Sequence, residues 1–305
     1  MTENEFILAD RIAKIKSVIE QYREDKCYLS FSGGKDSTVL HKLLDVAVPN
    51  NHIKRVYANT GIEYTLIYDF VRQLQSTDDR IIILQPKTPI KAFLEREGYP
   101  FKSKRHSEIW QIWNNNHNNK RAIKYRDGLY NFSVNKCPEI LKYQFTDVYN
   151  GVKLSDKCCY NLKEQPLNEW QKENNIEVAI VGLMRAEGGR RSKTQCMVKY
   201  KYGIHFHSLA IVDKSWEEWF IKEYQVKLCD IYYPPYNFER TGCKGCPFNI
   251  NLQADLDTLQ KYFPNERKQC ELIWQPVYAE YRRLGYRLRK EEPEITGQMN
   301  INDFL

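Results

Sequence analysis

The chain has 305 residues, of which 42% are hydrophobic, and a formal net charge of +7. This length suits one large α/β domain with a smaller appendage. No apolar run approaches the ~20 residues that a membrane-spanning helix needs, and residues 1–10 lack the basic-then-apolar pattern of a secretion signal. We therefore expect a cytoplasmic protein with no membrane partner. The positive charge suits a nucleotide or a nucleic-acid backbone without deciding between them.

The first third of the chain alternates between short apolar runs and helix-type periods. Residues 5–24 have apolar side chains at helical spacing. The elements predicted after them are strands at 27–32, 53–59 and 80–85, and helices at 37–46, 64–75 and 89–97. Because the connections are short, this βαβαβα order predicts a parallel sheet with right-handed crossovers. Ligands of such sheets bind outside the carboxyl ends of the strands.

The remaining chain is less regular. Residues 98–150 form an irregular insertion with a helix predicted over 107–115. Further elements are predicted as a strand at 176–183, a helix at 216–224 and two helices over 254–289 that break near Pro264. We expect four parts: the first part of an α/β domain (1–97), the insertion (98–150), the rest of the α/β domain (151–250), and C-terminal helices with a tail (251–305).

Between the first predicted strand and its helix stands the hexapeptide Ser-Gly-Gly-Lys-Asp-Ser, residues 32–37. Two glycines let a backbone approach an anion closely, and the N–H groups at a helix start bind it. Lys35 adds a positive charge, and Ser32 and Ser37 add hydroxyl donors. The alternative is an ordinary Gly-Gly turn with a capping side chain. The spacing does not match the Walker-type loop, so the hexapeptide predicts a different phosphate cradle.

Four cysteines form a second constellation: the vicinal pair Cys158-Cys159 and the pair Cys243-x-x-Cys246. Four thiolates hold either a tetrahedral zinc ion or a 4Fe-4S cluster. Adjacent side chains diverge in regular structure, which suits two corners of a cubane better than one zinc ion. The pattern therefore favours the cluster.

The other five cysteines have simpler interpretations. Cys27, Cys229 and Cys270 are expected to be small core residues. Cys137 is an alternative metal ligand, and Cys196, which lies in a basic stretch, is a candidate sulfur-handling thiol.

The hexapeptide resembles the signature of the PP-loop ATP pyrophosphatases. The resemblance implies a Rossmann-like parallel sheet of the adenine nucleotide alpha hydrolase type with flanking helices. It also implies ATP at the carboxyl edge of the strands and Mg²⁺ between its phosphates. Lys35 is then the electrostatic catalyst, and Asp36 is the helix-start carboxylate or an indirect partner of Mg²⁺.

The cysteine segments are similar to those of cluster-bearing adenylyl-sulfate reductases and of the wider phosphoadenosine phosphosulfate (PAPS) reductase-like family. The segment Gly182–Arg191 and the segment Asn59-Thr60-Gly61-x-Glu63 also resemble that family. Asn59 stands where relatives have Asp, so a metal role is not implied there. A cluster-binding, mainly helical C-terminal part completes the expected fold.

The resemblance implies three groups of site residues. The nucleotide-binding group is Ser30, Ser32, Gly33, Gly34, Lys35, Asp36, Ser37, Asn59, Thr60, Gly61, Glu63 and Gly182. The group that holds the anionic substrate is Ser103, Lys104, Arg185, Arg190 and Arg191. For each of these arginines a surface salt bridge is the alternative. The metal ligands are Cys158, Cys159, Cys243 and Cys246.

The chain departs from the sulfonucleotide reductases of that family at two places. Their phosphate loop lacks the Lys-Asp pair, since their substrate is already activated, and they use a nucleophilic cysteine on a C-terminal tail. No cysteine follows Cys270 here. The combination resembles the sulfur-transfer enzymes of DNA phosphorothioation and the cluster-dependent tRNA thiolases.

The leading hypothesis is an enzyme that splits ATP to AMP and pyrophosphate to activate a substrate for sulfur transfer. DNA or tRNA is the expected acceptor, and a cysteine desulfurase is an example of a sulfur donor. The first alternative is a reductase of adenylyl sulfate or PAPS that uses another thiol, such as Cys196. The second is a non-catalytic iron-sulfur protein that binds nucleotide or nucleic acid.

Overall fold

The computed structural model describes residues 1–129, 136–188 and 192–290. These residues divide into two compact units. Unit 1 comprises Met1–Glu97 and Lys157–Lys244. Unit 2 comprises the described residues of Gly98–Asp156 and of the segment that starts at Gly245.

The described helices are α1 (Glu3–Tyr22), α2 (Lys35–Ala47), α3 (Thr65–Thr77), α4 (Ile90–Glu97), α5 (Lys104–Asn115), α6 (Lys120–Arg126), α7 (Lys157–Cys159), α8 (Gln165–Glu173), α9 (Lys214–Glu223), α10 (Leu252–Tyr262) and α11 (Pro264–Leu284). The described strands are β1 (Cys27–Phe31), β2 (Lys54–Ala58), β3 (Ile81–Leu84), β4 (Val178–Val181), β5 (Met197–Tyr200) and β6 (Gly203–Phe206).

Unit 1 is built on one mainly parallel sheet. Its described strands have the order β3-β2-β1-β4-β6-β5. Neighbouring strands pair in parallel except for β5 and β6, which form an antiparallel hairpin. Strand β1 lies between β2 and β4, and Ser30 near its end pairs with Val56 on one side and Val181 on the other. The predicted Rossmann-like parallel sheet with flanking helices is confirmed.

The apolar pattern of the sequence explains the core of unit 1. Strand β1 is buried at Leu29 and Phe31, as a strand covered on both faces must be. Helix α2 buries Val39, Leu40 and Leu43 along one stripe. It begins at Lys35 rather than at the predicted residue 37. Lys35 and Asp36 therefore lie within the first helical turn.

Two features of unit 1 are absent from the sequence prediction. One is the hairpin of β5 and β6. The other is a helical stretch from Lys157 to Glu173, in which α7 and α8 are joined by a π-helical turn at Tyr160–Glu164. Such turns insert one extra residue into a helix and are frequent at functional sites.

Unit 2 is mainly helical, as predicted for the C-terminal part of the chain. Pro264 is the first residue of α11, where a missing N–H costs no helical hydrogen bond. Its interior contains the fully buried ring of His106, whose nitrogens lie 3.0 Å from Tyr125 Oη and 2.8 Å from Gln144 Oε1. Both ring nitrogens therefore have partners. Across the described ranges, no helix has the length and apolar character needed to cross a bilayer.

A buried polar cluster connects α2 and β2. Arg55 is fully buried, and its Nε donates to His41 Nδ1 at 3.2 Å while its Nη2 lies 2.6 Å from Asp45 Oδ1. Burial, followed by the charge of Arg55, lowers the pKa of His41 to about 4. The neutral imidazole is thus the form that the folded chain holds.

We expect His41 to make folding pH-dependent. Its pKa is near 6.5 in the unfolded chain and lower in the folded one, so its contribution to stability is present above about pH 6.5 and is lost as the pH falls towards 4. In His41→Gln this contribution to stability disappears. The other buried histidines contribute equally to the stability of the variant and of the wild type. Chemical denaturation should show a wild-type advantage that is constant above pH 7 and shrinks between pH 6.5 and 4. Parallel stability curves down to pH 4 would contradict the assignment.

Candidate functional site

A cavity of about 250 Å³ opens at the carboxyl edge of β1 and β4. The chain leaves β1 towards β2 on one side, and β4 lies on the other, so this edge is the switch point at which open α/β sheets bind ligands. The cavity is lined by Ser30, Ser32, Gly34, Lys35, Asp36, Ser37, Val181, Gly182, Tyr232, Glu239, Arg240 and Thr241.

The loop at residues 32–37 has the geometry of an anion cradle. Gly33 adopts a φ of +67°, and a Cβ there would lie 2.8 Å from Val71 Cγ2. Ser37 Oγ donates to Gly34 O at 2.9 Å and accepts from the Ser32 N–H at 3.2 Å, which closes the loop on itself. The first N–H groups of a helix have no acceptor within the helix. The start of α2 can therefore bind an anion in the cavity.

The end of β4 approaches this helix start closely. A Cβ at Gly182 would lie 3.2 Å from Asp36 O and 3.3 Å from Ser37 N, and both of these neighbours are backbone atoms. Only a residue without a side chain leaves the first turn of α2 where it is. The structure thus brings Gly182 to the loop.

Two hydroxyl groups of the cavity were missed by the sequence interpretation. Tyr232 Oη accepts the backbone N–H of Lys35 at 3.1 Å and forms a hydrogen bond with Thr241 Oγ1. Lys35 Nζ lies 5.6 Å from the centroid of the Tyr232 ring. Burial raises the pKa of Tyr232 to about 12, so the phenol stays protonated at neutral pH. Thr241 lies two residues before Cys243, and this position in the cysteine segment is the sequence feature that could have indicated it.

The segment at Asn59–Glu63 follows β2, as predicted, but it is not among the described residues that line the cavity. Instead it surrounds a cysteine. Thr60 Oγ1 lies 3.9 Å from Cys243 Sγ and donates to Glu63 Oε1 at 2.7 Å. Lys163 Nζ lies 3.6 Å from the same carboxylate oxygen. Asn59 and Gly61 are joined by a hydrogen bond from the Gly61 N–H to Asn59 Oδ1 at 2.9 Å.

The thiols of Cys159 and Cys243 are close enough to influence each other. Burial raises the pKa of Cys243 to about 11, and Glu63 and Cys159 act in the same direction while Lys163 opposes them. Cys158 is buried beside Cys159 in α7. Within residues 1–129, 136–188 and 192–290, however, no three Cys, His, Asp or Glu side chains are arranged to hold a metal ion. The four-cysteine ligand set therefore stays a prediction.

Cys246 belongs to unit 2, where α11 fixes the backbone on both sides of it. Tyr278 Oη donates to Gly245 O, and Tyr281 Oη donates to Pro247 O at 3.0 Å. Gly245 has a φ of +63°, and a Cβ there would lie 2.7 Å from Cys270 Sγ. The turn that contains Cys246 therefore depends on this glycine.

The residues predicted to hold an anionic substrate belong to different parts of the chain. Ser103 is the N-cap of α5, where its Oγ accepts the His106 N–H at 3.2 Å, and Lys104 is the exposed first residue of that helix in unit 2. Arg185 in unit 1 donates from Nε to Thr194 O at 2.6 Å and does not line the described cavity. Arg190 and Arg191 lie outside the described residues.

Residues 26–129 match the family model of the phosphoadenosine phosphosulfate reductase domain. This segment contains the loop at residues 32–37, and the match confirms the resemblance to the PAPS reductase-like family that the sequence predicted. A curated but uncharacterized protein of Methanocaldococcus jannaschii is 26% identical over 179 residues, which are 48% of this chain and 43% of that protein. The chain thus matches less than half the length of this relative.

Three solved structures are similar to the chain. The PAPS reductase of Candida auris, in a phosphate complex, has a TM-score of 0.40 at 14% identity, over 68% of this chain and 76% of that one. The U34-tRNA thiolase NcsA of Methanococcus maripaludis, with its [4Fe-4S] cluster, has a TM-score of 0.41 at 15% identity, over 97% and 85%. The NH3-dependent NAD synthetase of Campylobacter jejuni has a TM-score of 0.41 at 13% identity, over 97% and 100%. TM-scores this low support no conclusion about activity.

We expect Gly182→Ala to weaken nucleotide binding. The new methyl group would displace the backbone of Asp36 and Ser37, and overpacking of this kind corresponds to roughly a tenfold loss of affinity. Gly242→Ala is the matched control, since a Cβ there meets nothing within 4 Å. Titration with a fluorescent ATP analogue measures both variants. Equal dissociation constants for the two variants and the wild type would show that the contact of β4 with α2 does not shape the site.

Proposed function

We propose that the chain binds ATP in the cavity of unit 1 and splits it to AMP and pyrophosphate, to activate a nucleic-acid acceptor for sulfur transfer. The observation that carries the proposal is the position of Lys35. Lys35 lies in the first turn of α2 and lines the cavity at the switch point of the sheet. The segment that contains it matches a PP-loop family.

Lys35 supplies what cleavage between the α and β phosphates requires. When an acceptor oxygen attacks the α phosphorus, the bond to the bridging oxygen breaks and pyrophosphate leaves with that electron pair. A fixed ammonium group and helix-start N–H groups stabilise the negative charge that builds on the leaving group. The hydrogen bond from the Lys35 N–H to Tyr232 Oη and the ring beneath Lys35 Nζ hold this residue in place.

Other cavity residues have supporting roles in this proposal. Ser32 and Ser37 contribute hydroxyl groups to the phosphates, and Gly34 provides close backbone approach. Asp36 also lines the cavity, and a single carboxylate together with phosphate oxygens is a common Mg²⁺ site. Arg240 adds a second cationic side chain to the wall.

The proposed 4Fe-4S cluster would be held by Cys158, Cys159, Cys243 and Cys246. The electrostatic effect of the Cys159 thiol on Cys243 supports this assignment, and so does the contact of Thr60 with Cys243. A bound cluster would supply redox-active iron and a place to hold sulfur. A cysteine desulfurase is the kind of donor protein that would provide the sulfur.

We expect Lys35→Ala to reduce pyrophosphate release from ATP by roughly 100- to 1,000-fold, the effect of removing one preorganised electrostatic group. Lys42→Ala on the same helix is the matched control, because Lys42 does not line the described cavity. A coupled pyrophosphate assay with Mg²⁺, in the presence and absence of tRNA or DNA, measures both. Unchanged release in Lys35→Ala would refute the assigned role.

For the cluster, we expect anaerobically purified protein to contain about four iron and four sulfide per chain. Cys159→Ser and Cys243→Ser should each lose most of the iron. Cys229→Ser should retain it, because Cys229 is a buried thiol whose Sγ donates to Leu66 O at 3.3 Å. A colourless wild-type protein with one zinc ion per chain would contradict the cluster.

The family match also favours a second candidate, reduction of adenylyl sulfate or PAPS, since the matching domain is named for that reaction. Sulfite production from either nucleotide in the presence of a thiol reductant would support this candidate. Nucleotide binding with neither sulfite nor pyrophosphate as product would support a non-catalytic iron-sulfur protein.

A further inference from the structure

An exposed aromatic and basic surface lies on unit 1 outside the cavity. It consists of Tyr200, Lys201 and Tyr202 at the turn between β5 and β6, and of Tyr160 in the π-helical turn. Tyr200 is 50% exposed, Tyr160 is 44% exposed and Tyr202 is 38% exposed. We call these four residues the tyrosine surface. Large aromatic rings exposed together in this way are uncommon outside binding sites.

Tyr160, Lys201 and Tyr202 lie close to one another. Tyr202 is the neighbour that acts most strongly on Tyr160, and it raises the pKa of the Tyr160 hydroxyl. Lys201 Nζ lies 5.1 Å from the centroid of the Tyr202 ring and also acts electrostatically on Tyr160. The Tyr200 ring lies 4.3 Å from the His205 ring, centroid to centroid. The rings are therefore held by neighbours while much of their area stays open to solvent.

The turn is anchored to the helix beneath it. Gln171 of α8 is buried, and its Nε2 donates to Tyr202 O at 2.8 Å. Gly203 follows with a φ of +146°, and a Cβ there would lie 2.6 Å from Glu177 O. A rigid platform of this kind binds a partner with little loss of conformational entropy.

The location links this surface to the proposed chemistry. Tyr160 directly follows Cys159, one of the four cysteines proposed to hold the cluster. Strand β5 lies at the edge of the described sheet, so the turn that bears Tyr200 is not covered by another strand on that side. A polymer held on the tyrosine surface would thus pass one residue from the cysteine segment.

We propose that the tyrosine surface binds single-stranded nucleic acid. This inference rests on the proposed nucleic-acid acceptor and names its form. Unpaired bases stack on exposed aromatic rings, and cationic side chains beside the rings contact the phosphates. Duplex bases have no free faces to stack, so a double helix would use Lys201 alone. The net charge of +7 and Lys201 beside the rings favour a polyanion, and flat bases fit exposed aromatic rings better than the carboxylates of an acidic protein segment do.

Fluorescence anisotropy with a labelled oligonucleotide of about 12 nucleotides tests the proposal over a series of salt concentrations. Tyr200→Ala and Tyr202→Ala should each weaken binding by roughly 5- to 150-fold, the fold-change that corresponds to the loss of one base–aromatic stack. Neither should change the slope of log affinity against log salt. Lys201→Gln should reduce the magnitude of that slope by about 0.7, because one phosphate contact is lost.

Two control variants separate stacking from other effects. Tyr202→Phe keeps the ring and removes the hydroxyl group, so it should bind like the wild type. Phe6→Ala removes an aromatic ring that is 64% exposed on α1, and it should also leave the affinity unchanged. Thermal melts of every variant identify any that fail to fold. If a tyrosine variant fails to fold, the salt slope of Lys201→Gln still tests the proposal.

Wild-type affinity in the Tyr200→Ala, Tyr202→Ala double variant would overturn the proposal, and so would equal affinity for duplex and single strand. Pyrophosphate release, measured on the same preparations, separates this failure from failure of the proposed function. If release depends on Lys35 while the tyrosine variants bind normally, the surface is wrong and the ATP chemistry stands. If stacking-dependent binding occurs with no pyrophosphate release, the surface stands and the ATP chemistry is wrong.

Discussion

The close contact between the end of β4 and the first turn of α2 is the constraint on which the cavity depends. At Gly182 a Cβ would come within 3.2 Å of the α2 backbone, and at Gly33 the loop needs a positive φ with Val71 packed against it. These two glycines let the start of α2 lie between the ends of two parallel strands. The proposed ATP chemistry depends on that position, because it places an ammonium group and a helix start at one edge of the sheet.

The segment that closes the cavity also carries a cysteine. Thr241 is hydrogen-bonded to Tyr232, which holds the backbone of Lys35, and Cys243 lies two residues further along the chain. Any ligand that moves Thr241 therefore acts on the backbone next to Cys243. Thr60 contacts the same cysteine from the end of β2, the strand beside β1, and donates a hydrogen bond to Glu63. The cavity and the cysteine region thus share the ends of neighbouring strands.

The sequence predicted the parallel sheet and the phosphate loop because both depend on local patterns. The apolar stripe of α2 and the hexapeptide before it are contiguous in the chain. Tyr232 could not be predicted in the same way, because its contact with Lys35 joins residues 197 positions apart. The contact of Thr60 with Cys243 joins residues 183 positions apart. The β5–β6 hairpin was missed because its strands are only four residues long and its Lys201-Tyr202 turn lacks an Asn-Gly or Asp-Gly pair.

The π-helical turn at Tyr160–Glu164 lies between the vicinal cysteines and α8. Such a turn accommodates one residue more than a regular helix needs, so the helix on either side of it keeps its phase. Deleting a single residue there would leave an unbroken α-helix with Cys158 and Cys159 facing nearly as before. Deleting one residue from a regular part of the helix would instead rotate the cysteines by about 100° relative to α8. The turn is therefore the place in this helical stretch where the chain can change in length by one residue without turning the thiols away.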